Sequence, residues 1–90
     1  MRAKHRKTLE AIFAHPVRAN IKWRDIETLL KALGAEIEER KGSRVAVIFP
    51  DRHPAVFHRP HPGPNADKGA VAALRDWLAG MGIKPRKEHT

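Results

Sequence analysis

Apolar residues recur at intervals of three and four positions in three segments of the chain, the spacing that gives a helix one apolar side. The first segment predicts a helix over residues 4–14. The second, which is the most regular, predicts a helix capped by Asn20 and stopped by Gly34. The third predicts a helix that begins at residue 67 or 69 and closes by residue 82. The apolar stripes are Leu9, Ile12 and Phe13; Trp23, Ile26, Leu29, Leu30 and Leu33; and Val71, Leu74, Trp77, Leu78 and Met81.

Between the second and third stripes the pattern changes to alternation, which predicts three short strands over residues 35–40, 44–49 and 55–59. Short links join these strands, so we expect them to pair as an antiparallel meander. Residues 60–66 are expected to form a loop too rich in proline to pair. The fold class is therefore α+β in the order α-α-β-β-β-α, with helices on one sheet face. Arg44 would project from the other, open face.

Length and charge narrow the class of partner. Ninety residues suit a single domain, divided into a basic helical extension (1–20), a core (21–83) and a basic tail (84–90). Eighteen Lys and Arg against ten Asp and Glu give a net charge of +8, which attracts polyanions. The chain contains no cysteine, so it has no disulfide and no thiolate metal site. We expect a cytoplasmic protein that binds RNA, without membrane segment or cofactor.

Two clusters could carry chemistry. Residues 42–44, Gly-Ser-Arg, combine a turn glycine, a hydroxyl and a guanidinium that fits phosphate; the alternative is an ordinary turn followed by a surface arginine. His58 and His61 flank Arg59 at the end of the third predicted strand. Two imidazoles and a guanidinium are the groups that metal-independent RNA cleavage needs for proton transfer and charge stabilisation. The alternative is packing for His58 and a loop position for His61. We predict no metal site at His53, His58 and His61, because no acidic ligand lies nearby.

The order of several short motifs resembles the HicA family of mRNA interferase toxins over residues 23–85. The helix over 24–33 with its Gly34 stop is similar to the leading helix of the family. The other matching features are the strand at 35–37, the turn Lys41-Gly42-Ser43, the pair Pro60-His61, and Lys68-Gly69-Ala70-Val71 leading into Leu74 and closing with Gly82-Ile83. The resemblance implies a double-stranded-RNA-binding-domain-like fold, mRNA cleavage that inhibits translation, and a HicB-like antitoxin partner.

One position departs from the family pattern, which has its catalytic histidine directly after Gly-Ser, where this chain has Arg44. A guanidinium that is always protonated cannot act as a general base. Either His58 and His61 transfer protons while Arg44 stabilises phosphate, or the protein binds RNA without cutting it. A third interpretation is an interaction domain for an acidic protein. The expected catalytic residues are His58, His61 and Arg44; the expected RNA-binding residues are Lys41, Ser43, Arg44, Arg52, Arg59 and Lys68.

Overall fold

A computed structural model describes residues 2–60 and 63–85. The order α-α-β-β-β-α confirms the predicted α+β class, and each element lies within two residues of its predicted bounds. The elements are α1 (Ala3–Ile12), α2 (Trp23–Ala32), β1 (Glu36–Arg40), β2 (Arg44–Ile48), β3 (Ala55–His58) and α3 (Lys68–Gly80).

The start of α2 differs from the prediction. Asn20 is exposed and does not cap the helix; the N-cap is Lys22, with no side-chain hydrogen bond. The backbone carbonyl of Lys22 accepts the N–H groups of Asp25 (3.0 Å) and Ile26 (3.2 Å) instead. At the other end, Gly34 has φ +105°, so the predicted glycine stop of this helix is confirmed.

Residues 21–23 pair with residues 64–66, although the 60–66 loop was expected not to pair. The N–H of Trp23 donates to the Pro64 carbonyl (2.9 Å), and the N–H of Ala66 donates to the Ile21 carbonyl (2.8 Å). Between them, Lys22 and Asn65 form an antiparallel bridge. The prediction was wrong here because proline lacks a donor but keeps its carbonyl acceptor. This pairing holds the start of α2 against the segment that leads into α3.

The strands form a three-stranded antiparallel sheet in the order β1-β2-β3, which confirms the predicted meander. Val45 and Val47 are fully buried on the face that the helices cover. The ring of Phe57, on the same face, lies 6.3 Å from that of Trp23 and 5.7 Å from that of Trp77, measured between centroids. Both tryptophans therefore pack in or against the core, as their helical spacing indicates.

Helix α1 packs into the same core as α2, α3 and the sheet. Its apolar stripe buries Leu9 and Ile12, which are 3% and 0% exposed. Thr8 is also buried, and its hydroxyl donates to the Lys4 carbonyl (3.1 Å). Helix α1, which lies in the predicted extension, is therefore joined by apolar packing to the core predicted for residues 21–83.

Candidate functional site

The open face of the sheet brings Arg44 and His58 together. The two residues lie directly opposite each other on β2 and β3, and both are exposed. In the adjacent pair the N–H of Arg59 donates to the Ser43 carbonyl (2.9 Å). Hydrogen-bonded and non-hydrogen-bonded pairs alternate along an antiparallel ladder, so Arg44 and His58 form the non-hydrogen-bonded type, with Cα atoms about 4.5 Å apart. Their side chains thus leave the sheet side by side.

The β1–β2 turn orients Arg44. The Arg44 Nε donates to the Lys41 carbonyl (2.9 Å), which fixes the stem of the guanidinium beside the turn. Gly42 has φ +72° and Ser43 has φ +63°; Ser43 is the only residue other than glycine with a positive φ in the described part of the chain. Such a backbone conformation is unfavourable for a residue with a Cβ atom. Lys41, Ser43 and Arg44 are all exposed at this end of the sheet.

Arg40 extends the pair into a cross-strand row, which we define as Arg40, Arg44 and His58. Arg40 lies opposite Arg44 on β1. Its Nε and Nη2 contact Oε1 of Glu38 at 2.9 and 2.8 Å, so its charge is paired on the same strand. Sequence reasoning missed Arg40 as a member of the site. The signal was present, because a three-residue turn over 41–43 places residue 40 opposite residue 44.

Arg59 lies on the other face of the sheet and is held by two carboxylates. Its Nε and Nη2 donate to Oε2 of Glu27 on α2 (3.1 and 2.9 Å), and its Nη1 lies 3.0 Å from Oε2 of Glu39 on β1. The indole Nε1 of Trp23 donates to the same Glu27 oxygen (2.7 Å). The pKa of Arg59 is raised above its usual range, and the largest cause is the hydrogen bond to Glu27. We call these four residues the Arg59–Glu27 network.

The other predicted residues are not part of the cross-strand row. Arg52 lies in the turn between β2 and β3, at the opposite end of the sheet, roughly 13 Å away along β2. His53 shares that turn, and β3 separates it from His58. Lys68 is the exposed first residue of α3. His61 lies outside the described residues.

The middle of the open face is apolar. Ala46, next along β2 on this face, is 0% exposed. Its partner on β3, Val56, is 49% exposed and is the one exposed large apolar side chain in the described part of the chain. Glu38 lies opposite Ala46 on the β1 side. The face thus combines a cationic end, an apolar centre and an acidic edge strand.

Two helices around a three-stranded antiparallel meander, α2 before it and α3 after it, are consistent with a double-stranded-RNA-binding-domain-like fold. The family model described as HicA toxin of bacterial toxin-antitoxin matches residues 23–82, two-thirds of the chain. The chain belongs to the HicA toxin family, and it is therefore the toxin component of a toxin–antitoxin system, with an antitoxin as its partner. No curated protein and no solved structure gave a significant match.

Helix α1 and the segment that follows it lie before the matched range. Within residues 2–60 and 63–85, no helix is long and apolar enough to cross a bilayer.

Proposed function

We propose that this toxin binds mRNA in the cytoplasm and cleaves it without a metal ion, so that translation stops, and that a HicB-like antitoxin neutralises it. The observation that carries the proposal is the Arg44–His58 pair on the open face of the sheet. A guanidinium beside an imidazole, both exposed, supplies a phosphate ligand and a proton-transfer group within reach of one phosphodiester.

In the proposed reaction the terminal nitrogens of Arg44 bind the scissile phosphate and stabilise the charge that develops on it. One histidine accepts the 2′-OH proton as the 2′ oxygen attacks phosphorus. The bond to the 5′ oxygen then breaks, and a second histidine protonates that oxygen. His58 is one of these two groups. His61 is proposed as the other from the sequence alone.

The remaining predicted residues have supporting roles in the proposal. Lys41 and Ser43 adjoin Arg44 at the turn and add contacts to the RNA backbone. Arg59 acts as a positioning residue, because its guanidinium is occupied by Glu27 and Glu39 while its N–H fixes the Ser43 carbonyl. Arg52 and Lys68 would contact RNA only at a distance from the cleavage point.

A second candidate function is RNA binding without cleavage. It is favoured by Arg44, which stands where the family pattern has a histidine after Gly-Ser. Because the guanidinium cannot accept a proton, cleavage depends entirely on the histidines at 58 and 61. If they do not transfer protons, the same surface would still hold RNA by charge.

The two functions separate in an assay with purified protein, single-stranded and structured RNA, and EDTA throughout. We expect cleavage by the wild-type protein, and a loss of about 100-fold or more in the rate for His58→Ala and for His61→Ala, the low end of general acid–base contributions. Arg44→Ala should lose both binding and cleavage. Lys31→Ala, which removes an exposed charge from the far end of α2, is the matched control and should behave as wild type.

Binding of RNA that stays intact, with an unchanged affinity for His58→Ala, would reject the nuclease and support the binding module. Absence of binding by the wild-type protein at low salt would reject both. A salt-independent affinity would count against phosphate contacts of any kind.

A further inference from the structure

A groove with a volume of about 230 Å³ lies between α1 and the segment that enters α2. We call it the α1–α2 groove. Three cationic side chains line it, together with one carboxylate and four uncharged residues. The lining residues are Lys7, Thr8, Ala11, Arg18, Asn20, Ile21, Lys22 and Asp25.

The groove carries an excess of positive charge. Lys7, Arg18 and Lys22 have no carboxylate within 4.0 Å among the described residues, whereas Asp25 Oδ1 lies 4.0 Å from Lys4 Nζ at the rim. Pairing Asp25 with Lys4 leaves three uncompensated cations around one depression. Such a cluster is self-repulsive when empty and attracts a polyanion.

The backbone that presents two of these cations, Lys7 and Lys22, is fixed before any ligand binds. Lys22 is bridged to Asn65, and its carbonyl accepts the first N–H groups of α2. On the other wall, Lys7 belongs to α1, which Leu9 and Ile12 bury against the core. Fixed walls lower the ordering cost of binding.

The groove lies at the N-terminal end of α2, on the helix side of the sheet, whereas the cross-strand row lies on the open face. Helix α2 runs from the groove at Lys22 towards β1, and Glu27, one turn into the helix, holds Arg59 next to the β1–β2 turn. Lys22 is roughly 8 Å along the helix axis from Glu27. An RNA strand that contacts Arg44 would reach the groove by passing around the end of the sheet at the β1–β2 turn, where the Arg59 N–H bonds the Ser43 carbonyl.

We propose that the α1–α2 groove binds the phosphodiester backbone of the same RNA that the open face of the sheet engages, and so lengthens the RNA footprint. This inference rests on the proposed function. Phosphate suits the groove better than a protein surface does, because only Ala11 and Ile21 among its lining residues are apolar, whereas the cores of protein interfaces are rich in apolar area. The groove includes α1, which the family match does not cover.

The test compares the double variant Lys7→Ala/Arg18→Ala with Lys31→Ala/Lys84→Ala, which removes the same charge from exposed positions elsewhere. The measurement is the affinity for a 20-nucleotide single-stranded RNA as a function of salt. Losing two phosphate contacts should lower the slope of log K against log salt by about 1.4, which corresponds to roughly 25-fold weaker binding at 0.1 M salt. The control variant should lose far less affinity. The groove variant should weaken binding alone and keep the wild-type cleavage rate at saturating RNA.

Arg44→Ala, measured alongside, separates the two proposals. If the wild-type protein leaves RNA intact and Arg44→Ala binds it like wild type, while the groove variant loses its slope, the proposed function fails and the groove stands as a phosphate-binding site. If the groove variant keeps the slope of the control, the groove proposal is overturned. The same conclusion holds if the groove variant keeps that slope but loses affinity for an acidic antitoxin.

Discussion

Replacing Arg59 by methionine tests whether this residue stabilises the fold or binds RNA. Methionine keeps most of the apolar stem and removes the guanidinium. The sequence predicts an RNA ligand at this position, whereas the structure holds the guanidinium between Glu27 and Glu39. The two roles give opposite results in unfolding and binding measurements.

The expected cost follows from the exposure of the two carboxylates. The Glu27 side chain is 18% exposed, so losing Arg59 leaves a mostly buried carboxylate with Trp23 as its remaining side-chain donor. Hydrogen bonds to charged groups contribute about 1.5–3 kcal/mol. The Glu39 side chain is 74% exposed, and such surface pairs are worth about 0–1 kcal/mol. Because Arg59 is itself 30% exposed, we expect a total loss of about 2 kcal/mol.

Urea unfolding followed by tryptophan fluorescence measures this loss, and Trp23 reports directly because its indole bonds Glu27. A loss of about 2 kcal/mol corresponds to a Tm decrease of roughly 8–16 °C in a domain of this size. A double-mutant cycle with Glu27→Gln should give a coupling energy of about 1–2 kcal/mol. Because the pKa of Arg59 is raised, its contribution is complete below the unfolded-state pKa and is lost only at strongly alkaline pH, so the effect should be constant across neutral pH.

The reasoning is refuted if Arg59→Met unfolds within 0.5 kcal/mol of wild type and at the same time loses RNA affinity. That outcome would mean that Arg59 binds RNA, as the sequence predicts. Arg59→Lys serves as the control for charge, because it keeps the cation but cannot reproduce the two bonds of the guanidinium to Glu27.

Two further predictions concern stability. Ile12→Ala should cost about 3 kcal/mol in urea unfolding, because Ile12 is fully buried where α1 meets the core, and a loss under 1 kcal/mol would mean that α1 is dispensable for the fold. Asp67→Ala should cost about 1 kcal/mol in the same assay, since Oδ1 of Asp67 accepts the Ala70 N–H (2.7 Å) at the start of α3. Asp67→Asn should restore most of that loss, and equal losses for both variants would rule out the capping role.

The placement of Arg44 on the open face could be predicted because it depends on local rules. Val45 and Val47 alternate with Arg44 and Ala46, and a short turn follows Arg40, so face and register are both set within about ten residues. The sheet order followed from the same short links. The family resemblance, read from motif order over residues 23–85, agrees with the family match over 23–82.

Contacts between distant residues could not be predicted in the same way. Arg59 and Glu27 are 32 positions apart, and the sequence around each one is equally typical of a solvated charge. The Lys22–Asn65 bridge spans a longer gap and uses backbone groups alone, so no side-chain pattern signals it. Asn20 was predicted as the N-cap of α2 from its residue type. The N-cap is instead Lys22, the residue that this pairing holds at the start of the helix.

The pairing of residues 21–23 with residues 64–66 also determines how the chain returns from the sheet. After His58, the Arg59 N–H donates to the Ser43 carbonyl, and the Pro64 carbonyl accepts from the Trp23 N–H. The segments that enter α2 and α3 are thereby hydrogen-bonded to each other. A perturbation that breaks this pairing would therefore loosen the entrances of both helices at once.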